Sequence, residues 1–241
     1  MSGAALVVLM RWPRVGEGKT RLAAHLGVEY AHRLHRAFVA DTLDWSAPGG
    51  RVLAVAPDHA AVTAAALAAP DAIVVAQSRG DLGRRIAAAL SAAMRTGADR
   101  AVLVGTDSPS LPLCLLLECL DVAGDAGAAI VPAEDGGFIA LAVRRSTATQ
   151  HGLGWLHRGI DWSTARTAAQ TVVAARRTGV SMASTASWYD VDEVGDLPRL
   201  HTDLGADPLQ APRTLRCLDE LGPPALGTGA ARRPAAAELA S

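Results

Sequence analysis

Leu6-Val-Val-Leu-Met10-Arg11-Trp-Pro-Arg14-Val-Gly16-Glu-Gly18-Lys19-Thr-Arg21-Leu22 is the stretch whose reading decides the fold. Leu6–Met10 is a short apolar run, read as a buried strand. A basic, glycine-containing loop follows, and from Arg21 the sequence takes on helical spacing. A buried strand that runs through such a loop into a helix is how α/β proteins cradle phosphates. The loop amides and the positive helix end face the anion, and an ammonium reaches over it. Lys19 is the only lysine in the chain, every other member of the 23 Lys+Arg being arginine, which marks it for chemistry. Gly18-Lys19-Thr20 matches the end of a P-loop, but the first glycine of that motif would fall at Pro13, so a P-loop is excluded. What remains is a basic loop carrying Arg11, Arg14, Lys19 and Arg21, either a phosphate cradle or a solvated charged turn.

Further apolar runs recur at Val52–Ala56, Ile73–Ala76, Ala101–Val104, Ala128–Val131 and Phe138–Val143. Helical patterns separate them at Arg21–Trp45, Ala60–Ala68, Asp81–Thr96, Leu113–Val122 and Ala165–Thr178. Continuous apolar strands alternating with helices predict an α/β fold: one Rossmann-like domain with a mostly parallel sheet covered on both faces. The 130–143 stretch, with Asp135-Gly136-Gly137 between two apolar runs, is the one place suited to an antiparallel excursion. We expect the main domain over residues 1–205, a helical extension over 206–221, and a disordered Pro/Ala-rich tail over 222–241.

Composition narrows the function. The 241 residues are 50% hydrophobic and 20% charged, ordinary for one globular domain with a real core. A net charge of −1 lacks the basic stripe of a nucleic-acid binder. No signal peptide and no run of the ~18 apolar residues needed for membrane insertion is evident. Cys114, Cys119 and Cys217 are odd in number and lack metal-ligand spacing, so a reduced, cytoplasmic protein is expected. The oligomeric state is left open.

Four further segments carry candidate chemistry. In Gly105-Thr106-Asp107-Ser-Pro109, a buried strand delivers Asp107 to the carboxyl edge of the sheet, where such sheets bind ligands. A carboxylate there suits Mg2+ or Mn2+ beside a nucleotide pyrophosphate, or caps the next helix. Pro132-Ala-Glu134-Asp135-Gly136-Gly137 offers acids for an acceptor or a base, and glycines that allow close backbone approach to a ligand. The same residues also spell a hairpin turn. Asp190 and Asp192 lie two apart, share a face on extended chain, and could meet one metal, while Asp196 suits the start of the next helix. Gln77, Gly80 and Asp81 stand at a strand-to-helix junction suited to polar groups. Asp161-Trp-Ser-Thr164 reads as a helix start or as substrate-facing groups. His25, His32 and His35 read as a neutral polar helix face.

Taken in order, Lys19-Thr-Arg-Leu22, Gln77…Gly80-Asp-Leu-Gly83, Gly105-Thr-Asp-Ser-Pro109, Pro132-Ala-Glu-Asp-Gly-Gly137, Asp161-Trp-Ser-Thr164 and Tyr189-Asp-Val-Asp192…Asp196-Leu197 resemble the DUF2064 family. The resemblance runs over roughly residues 5–200 and implies the nucleotide-diphospho-sugar transferase (GT-A) superfamily, whose members include glycosyltransferases and nucleotidylyltransferases. GT-A glycosyltransferases commonly carry Asp-x-Asp for their metal, whereas here Asp107 is followed by Ser-Pro. The expectation is a metal-dependent glycosyltransferase taking a nucleotide-sugar donor and a small-molecule acceptor. Arg11, Lys19 and Arg21 would neutralise phosphates, Asp107 with Asp190 or Asp192 would hold Mg2+ or Mn2+, and Glu134 or Asp135 would face the acceptor. The alternatives are a nucleotidylyltransferase that uses an NTP and releases pyrophosphate, and a nucleotide-binding module without turnover.

Overall fold

A computed structural model describes residues 3–45, 49–68 and 70–222; the tail expected to be disordered lies, from 223 on, outside them. The chain runs β1 (Ala4–Arg11), α1 (Thr20–Leu26), α2 (Val28–Leu43), β2 (Arg51–Ala56), α3 (Ala60–Leu67), β3 (Ala72–Ala76), α4 (Leu82–Arg95), β4 (Arg100–Val104), α5 (Leu113–Ala126) and β5 (Ala128–Pro132). It continues through β6 (Phe138–Arg144), α6 (Arg145–His151), α7 (Thr167–Arg177), β7 (Met182–Ser184), α8 (Leu197–Ala206) and α9 (Pro212–Leu221). Among the described residues the strands form one sheet in the order β3-β2-β1-β4-β6-β5-β7. All pairings are parallel except those of β6, which runs antiparallel to both β4 and β5.

The continuous apolar strands are explained by burial on both faces. Leu6, Val8 and Met10 of β1 enter one core with Val102 and Val104 of β4 and Leu116 and Leu120 of α5. Ala5 and Val7 enter the other, with Ala101, Leu103, Ile86 and Leu90. Alternate side chains of one strand therefore feed opposite layers, and no polar face is left for water.

The long helix expected over Arg21–Trp45 is two helices. Gly27, at φ 82°, ends α1 with its N–H donating to Ala23 O, a left-handed stop that lets α2 leave in a new direction. β7 and α6 were not foreseen, because Met182-Ala-Ser184 is too short and Arg145–His151 too polar for periodicity to show. The helical extension expected over 206–221 contains α9 and packs into the fold. Leu204, Ala211 and Leu218 share a third core with Leu22, Leu34, Phe38, Tyr189 and Val191, binding the last helices to the first.

Candidate functional site

Among the described residues six parallel strands, all but β6, end at the carboxyl edge, and the basic loop rises from the end of β1. Its path is set by left-handed residues in close succession: Gly16 (φ 79°), Gly18 (φ 74°) and Lys19 itself (φ 44°). A non-glycine residue at positive φ is uncommon. The conformation turns the Lys19 side chain inward, to 5% exposure. Its Nζ lies 2.7 Å from Asp107 Oδ1 and 3.1 Å from Asp192 Oδ1, and donates to Val191 O at 2.6 Å. The Phe38 ring lies 5.7 Å from the ammonium. Burial pulls the ammonium's proton affinity down, but Asp107 and Asp192 outweigh it, and Lys19 stays charged with a raised pKa. Sequence pictured a flexible ammonium over phosphates. The structure places it in an ion pair with the very carboxylates expected to hold metal.

Asp107 stands just beyond β4 and does not cap α5, whose N-cap is Pro112. Its main-chain O accepts from Val191 N at 2.8 Å, which moors the 188–193 segment across the edge. Trp188 pairs with Ala133 in the same manner. Asp107 and Asp192 are each about half exposed, at 50% and 48%. Asp190 differs. Burial, then the negative charges of Asp192 and Asp135, push its carboxyl up to about 6, and among the described residues it has no ion pair. Even so, no three His, Cys, Asp or Glu side chains among the described residues converge to hold a metal ion. The expected metal ligands, Asp107 with Asp190 or Asp192, stand along one acidic edge, where Asp107 and Asp192 pair with Lys19. Asp196 accepts from the N–H groups of Asp192 and Glu193 at 2.9 and 2.8 Å, capping the turn before α8 as expected.

Arg11 ends β1, exposed at this edge. Arg21 is exposed and lies 3.8 Å from Asp192 and 3.5 Å from Glu193. Gly105 has open space where a Cβ would be, and Thr106 is buried at 4%.

Other expected contacts are used internally. Glu134 is bound by both nitrogens of Arg199, at 2.8 and 2.9 Å. Arg199 stacks 3.8 Å over the Tyr189 ring, and the Tyr189 hydroxyl donates to Asp203 at 2.6 Å while accepting from Ser110 at 2.8 Å. Glu134 is therefore a clamp on this network, not a free base. Asp135 Oδ1 accepts the Gly137 N–H at 2.8 Å, closing the β5–β6 hairpin. Gly136, at φ 92°, approaches protein rather than ligand: a Cβ there would sit 2.0 Å from Ala165 O. Gln77 Nε2 donates to Met10 O and Ala54 O at 2.9 and 3.0 Å, bracing the ends of β1 and β2. Asp81 caps α4 by accepting the Arg84 N–H at 2.8 Å, with Gly80 in the turn before it at φ 116°. Asp161 is paired with Arg166 and Gln170.

His35, read as part of a polar face, is buried at 5% under the loop. Its Nδ1 lacks a partner, and a Cβ on Gly18 would lie 3.3 Å from its Cε1. Burial pushes its pKa down against the pull of Asp107, and Lys19 lowers it further. The ring is thus neutral and shapes the turn that aims Lys19. Nothing in the sequence marked it, nor Arg199. A cavity of 810 Å³ lies at the amino edge among Arg100, Asp121, Arg144 and Arg145. It is remote from the strand ends that carry the acids and the lysine, and strand polarity, not volume, assigns the site.

Comparison with known proteins agrees with this topology. The profile of DUF2064, described as uncharacterized protein conserved in bacteria, matches residues 39–164. A search of curated proteins found no match. A solved Desulfovibrio desulfuricans protein, described as a candidate nucleotide-diphospho-sugar transferase, is 30% identical with TM-score 0.80, over 94% of this chain and 97% of that one. A Leptospira borgpetersenii cytidylyltransferase shares the fold at 14% identity and TM-score 0.57, over 97% of this chain and 100% of that one. The 4-diphosphocytidyl-2C-methyl-D-erythritol synthase of Anaerococcus prevotii does so at 9% identity and TM-score 0.51, over 79% and 92%. The profile spans Asp107 and Glu134. The chain belongs to the DUF2064 family, with the fold of the nucleotide-diphospho-sugar transferases.

Proposed function

We propose that the protein is a transferase that takes a nucleotide-diphospho-sugar across the carboxyl edge of its sheet and passes the glycosyl group to a small-molecule acceptor. The observation that carries this reading is the acidic edge at Asp107, Asp190 and Asp192, where carboxylate charge exceeds what Lys19 and the exposed Arg21 offset. The name of the Desulfovibrio relative, a candidate transferase of this class, supports it.

The donor set fits Mg2+ or Mn2+. All three side chains offer hard oxygen, and burial together with the charges of Asp192 and Asp135 holds the Asp190 carboxyl up at about 6. Mg2+ commonly takes one or two carboxylates and completes its shell with substrate phosphates and water, so a closed protein cage is unnecessary. Asp107 and Asp190 would hold the ion, which supplies charge neutralisation on the departing diphosphate. Arg11 and Arg21 meet the phosphates from the loop side, where fixed positive charge favours the leaving group more than the bound donor. Lys19 keeps Asp107 and Asp192 together while the site fills. The Glu134–Arg199 clamp fixes the hairpin on the acceptor side, leaving the exposed Asp135 as the carboxylate there.

The reading is tested by thermal shift with NTPs, NDPs and NDP-sugars, each with and without Mg2+ or Mn2+, followed by product analysis. Metal-dependent stabilisation by one NDP-sugar and its NDP, with release of that NDP on adding acceptor, is expected. Asp107→Asn should abolish the metal effect without unfolding the protein. Preference for an NTP with release of pyrophosphate would replace glycosyl by nucleotidylyl transfer, and absence of any response would sink the reading.

A further inference from the structure

The ammonium of Lys19 occupies the space between Asp107 and Asp192 with three short contacts and almost no exposure. We propose that Lys19 is a resident counter-ion that keeps a divalent metal out of the site until a diphosphate arrives, so that metal and nucleotide enter together. The inference rests on the metal-assisted reading above and adds an order of binding to it.

The argument is one of charge and place. Oδ1 of Asp107 already accepts from Nζ at 2.7 Å, and Oδ1 of Asp192 at 3.1 Å. A divalent ion ligated by Asp107 would stand within a few ångströms of a buried ammonium, where little water screens their repulsion. Lys19 cannot readily withdraw. Its backbone takes a left-handed turn, its Nζ is tied to Val191 O, and the Phe38 ring flanks it. With Lys19 in place, Asp107 and Asp192 sum to a single net negative charge, a poor lure for a divalent ion. A diphosphate changes the balance: its several negative charges accommodate both cations at once. By linkage the help is mutual, and metal must improve diphosphate binding as much as diphosphate improves metal binding.

The test measures Mn2+ uptake by the full-length protein in equilibrium dialysis, with Mn2+ alone and with Mn2+ plus inorganic pyrophosphate. Wild type should bind Mn2+ alone weakly and take it up with pyrophosphate. Lys19→Gln, which keeps a donor for Val191 O but loses the charge, should bind Mn2+ alone at least ~10-fold more tightly, the scale of a removed like-charge repulsion. Lys19→Arg, which keeps the charge, should stay as weak as wild type. Equal Mn2+ affinity in wild type and Lys19→Gln overturns the proposal. So does tight binding of Mn2+ alone by wild type, a result that stands even if the variant fails a near-ultraviolet circular-dichroism check of folding. The transferase reading fails separately. A gain in Lys19→Gln with no response of wild type to any NDP-sugar or NTP keeps the counter-ion and removes the transferase. Metal-dependent nucleotide binding by wild type with no gain in the variant does the reverse.

Discussion

Asp190→Asn should stabilise the metal-free protein, and should do so more at pH 8 than at pH 5. In the fold the Asp190 carboxyl loses its proton near 6 rather than at 3.8, because it is partly buried and faces Asp192 and Asp135. The folded state therefore holds a proton that the unfolded chain has released between those two values. Stability from this group is present at low pH and is lost as pH rises through about 6. The step from 3.8 to about 6 corresponds to roughly 3 kcal/mol at 1.36 kcal/mol per pH unit. Asp190 retains some exposure, and solvent screening reduces this to roughly 1–2 kcal/mol. Asparagine carries no charge to penalise, so the variant's melting temperature should exceed wild type by roughly 2–8 °C at pH 8 for a chain of this size. Near pH 5 roughly half of that advantage should remain. The assay is thermal unfolding by circular dichroism in EDTA across that range. A variant less stable than wild type at pH 8, or an advantage independent of pH, would refute the claim that Asp190 lacks a cation. Added Mn2+ with pyrophosphate should then favour wild type and reverse the order.

Three more expectations can be checked directly. A double-mutant cycle of Glu134→Gln and Arg199→Met, read by urea unfolding, should return a coupling of ~0.5–1.5 kcal/mol for a bidentate, half-exposed pair; a value near zero would free Glu134 for other roles. Gly136→Ala should cost ~2 kcal/mol or more, because its Cβ would meet a main-chain oxygen at a positive φ, and an unchanged urea midpoint would mean the hairpin and the 161–167 loop are not packed as described. Histidine NMR should place the midpoint of His35 below its ordinary 6.5. Because that pKa is lowered, the stability His35 contributes is present above 6.5 and lost as pH falls; a midpoint above 6.5 would mean the ring is not buried beside Lys19.

The sheet was legible because both faces of each central strand are covered, so Leu6–Met10 and Ala101–Val104 stand out as unbroken apolar runs. Gly27 was not, since one glycine inside a helical pattern reads as a tolerated weakness rather than a stop. At the site, residue type and strand polarity brought Lys19, Asp107, Asp190 and Asp192 to one edge. Their pairings were hidden, because Lys19 and Asp192 are 173 positions apart and sequence cannot say whether a lysine faces substrate or carboxylate. Gln77, Asp81 and Glu134 show the complementary case, making internal contacts. Polar residues at the end of a strand look like ligands for substrate, yet main-chain groups left over at a sheet edge or helix end also need partners. His35 was lost for the opposite reason: three histidines on one helix suggest a wetted surface, and only packing reveals which one is dry.

The third core has a consequence for how the enzyme can be handled. Leu22 and Phe38 from the start of the chain and Leu204 and Leu218 from its end bury one another, and Val191, whose carbonyl receives Lys19, lies in the same cluster. The first and last described helices are thus zipped together beneath the acidic edge. Trimming α9 to shorten the protein would loosen the floor on which Lys19 rests and be felt at its contacts with Asp107 and Asp192, even though no residue of that helix touches those two acids.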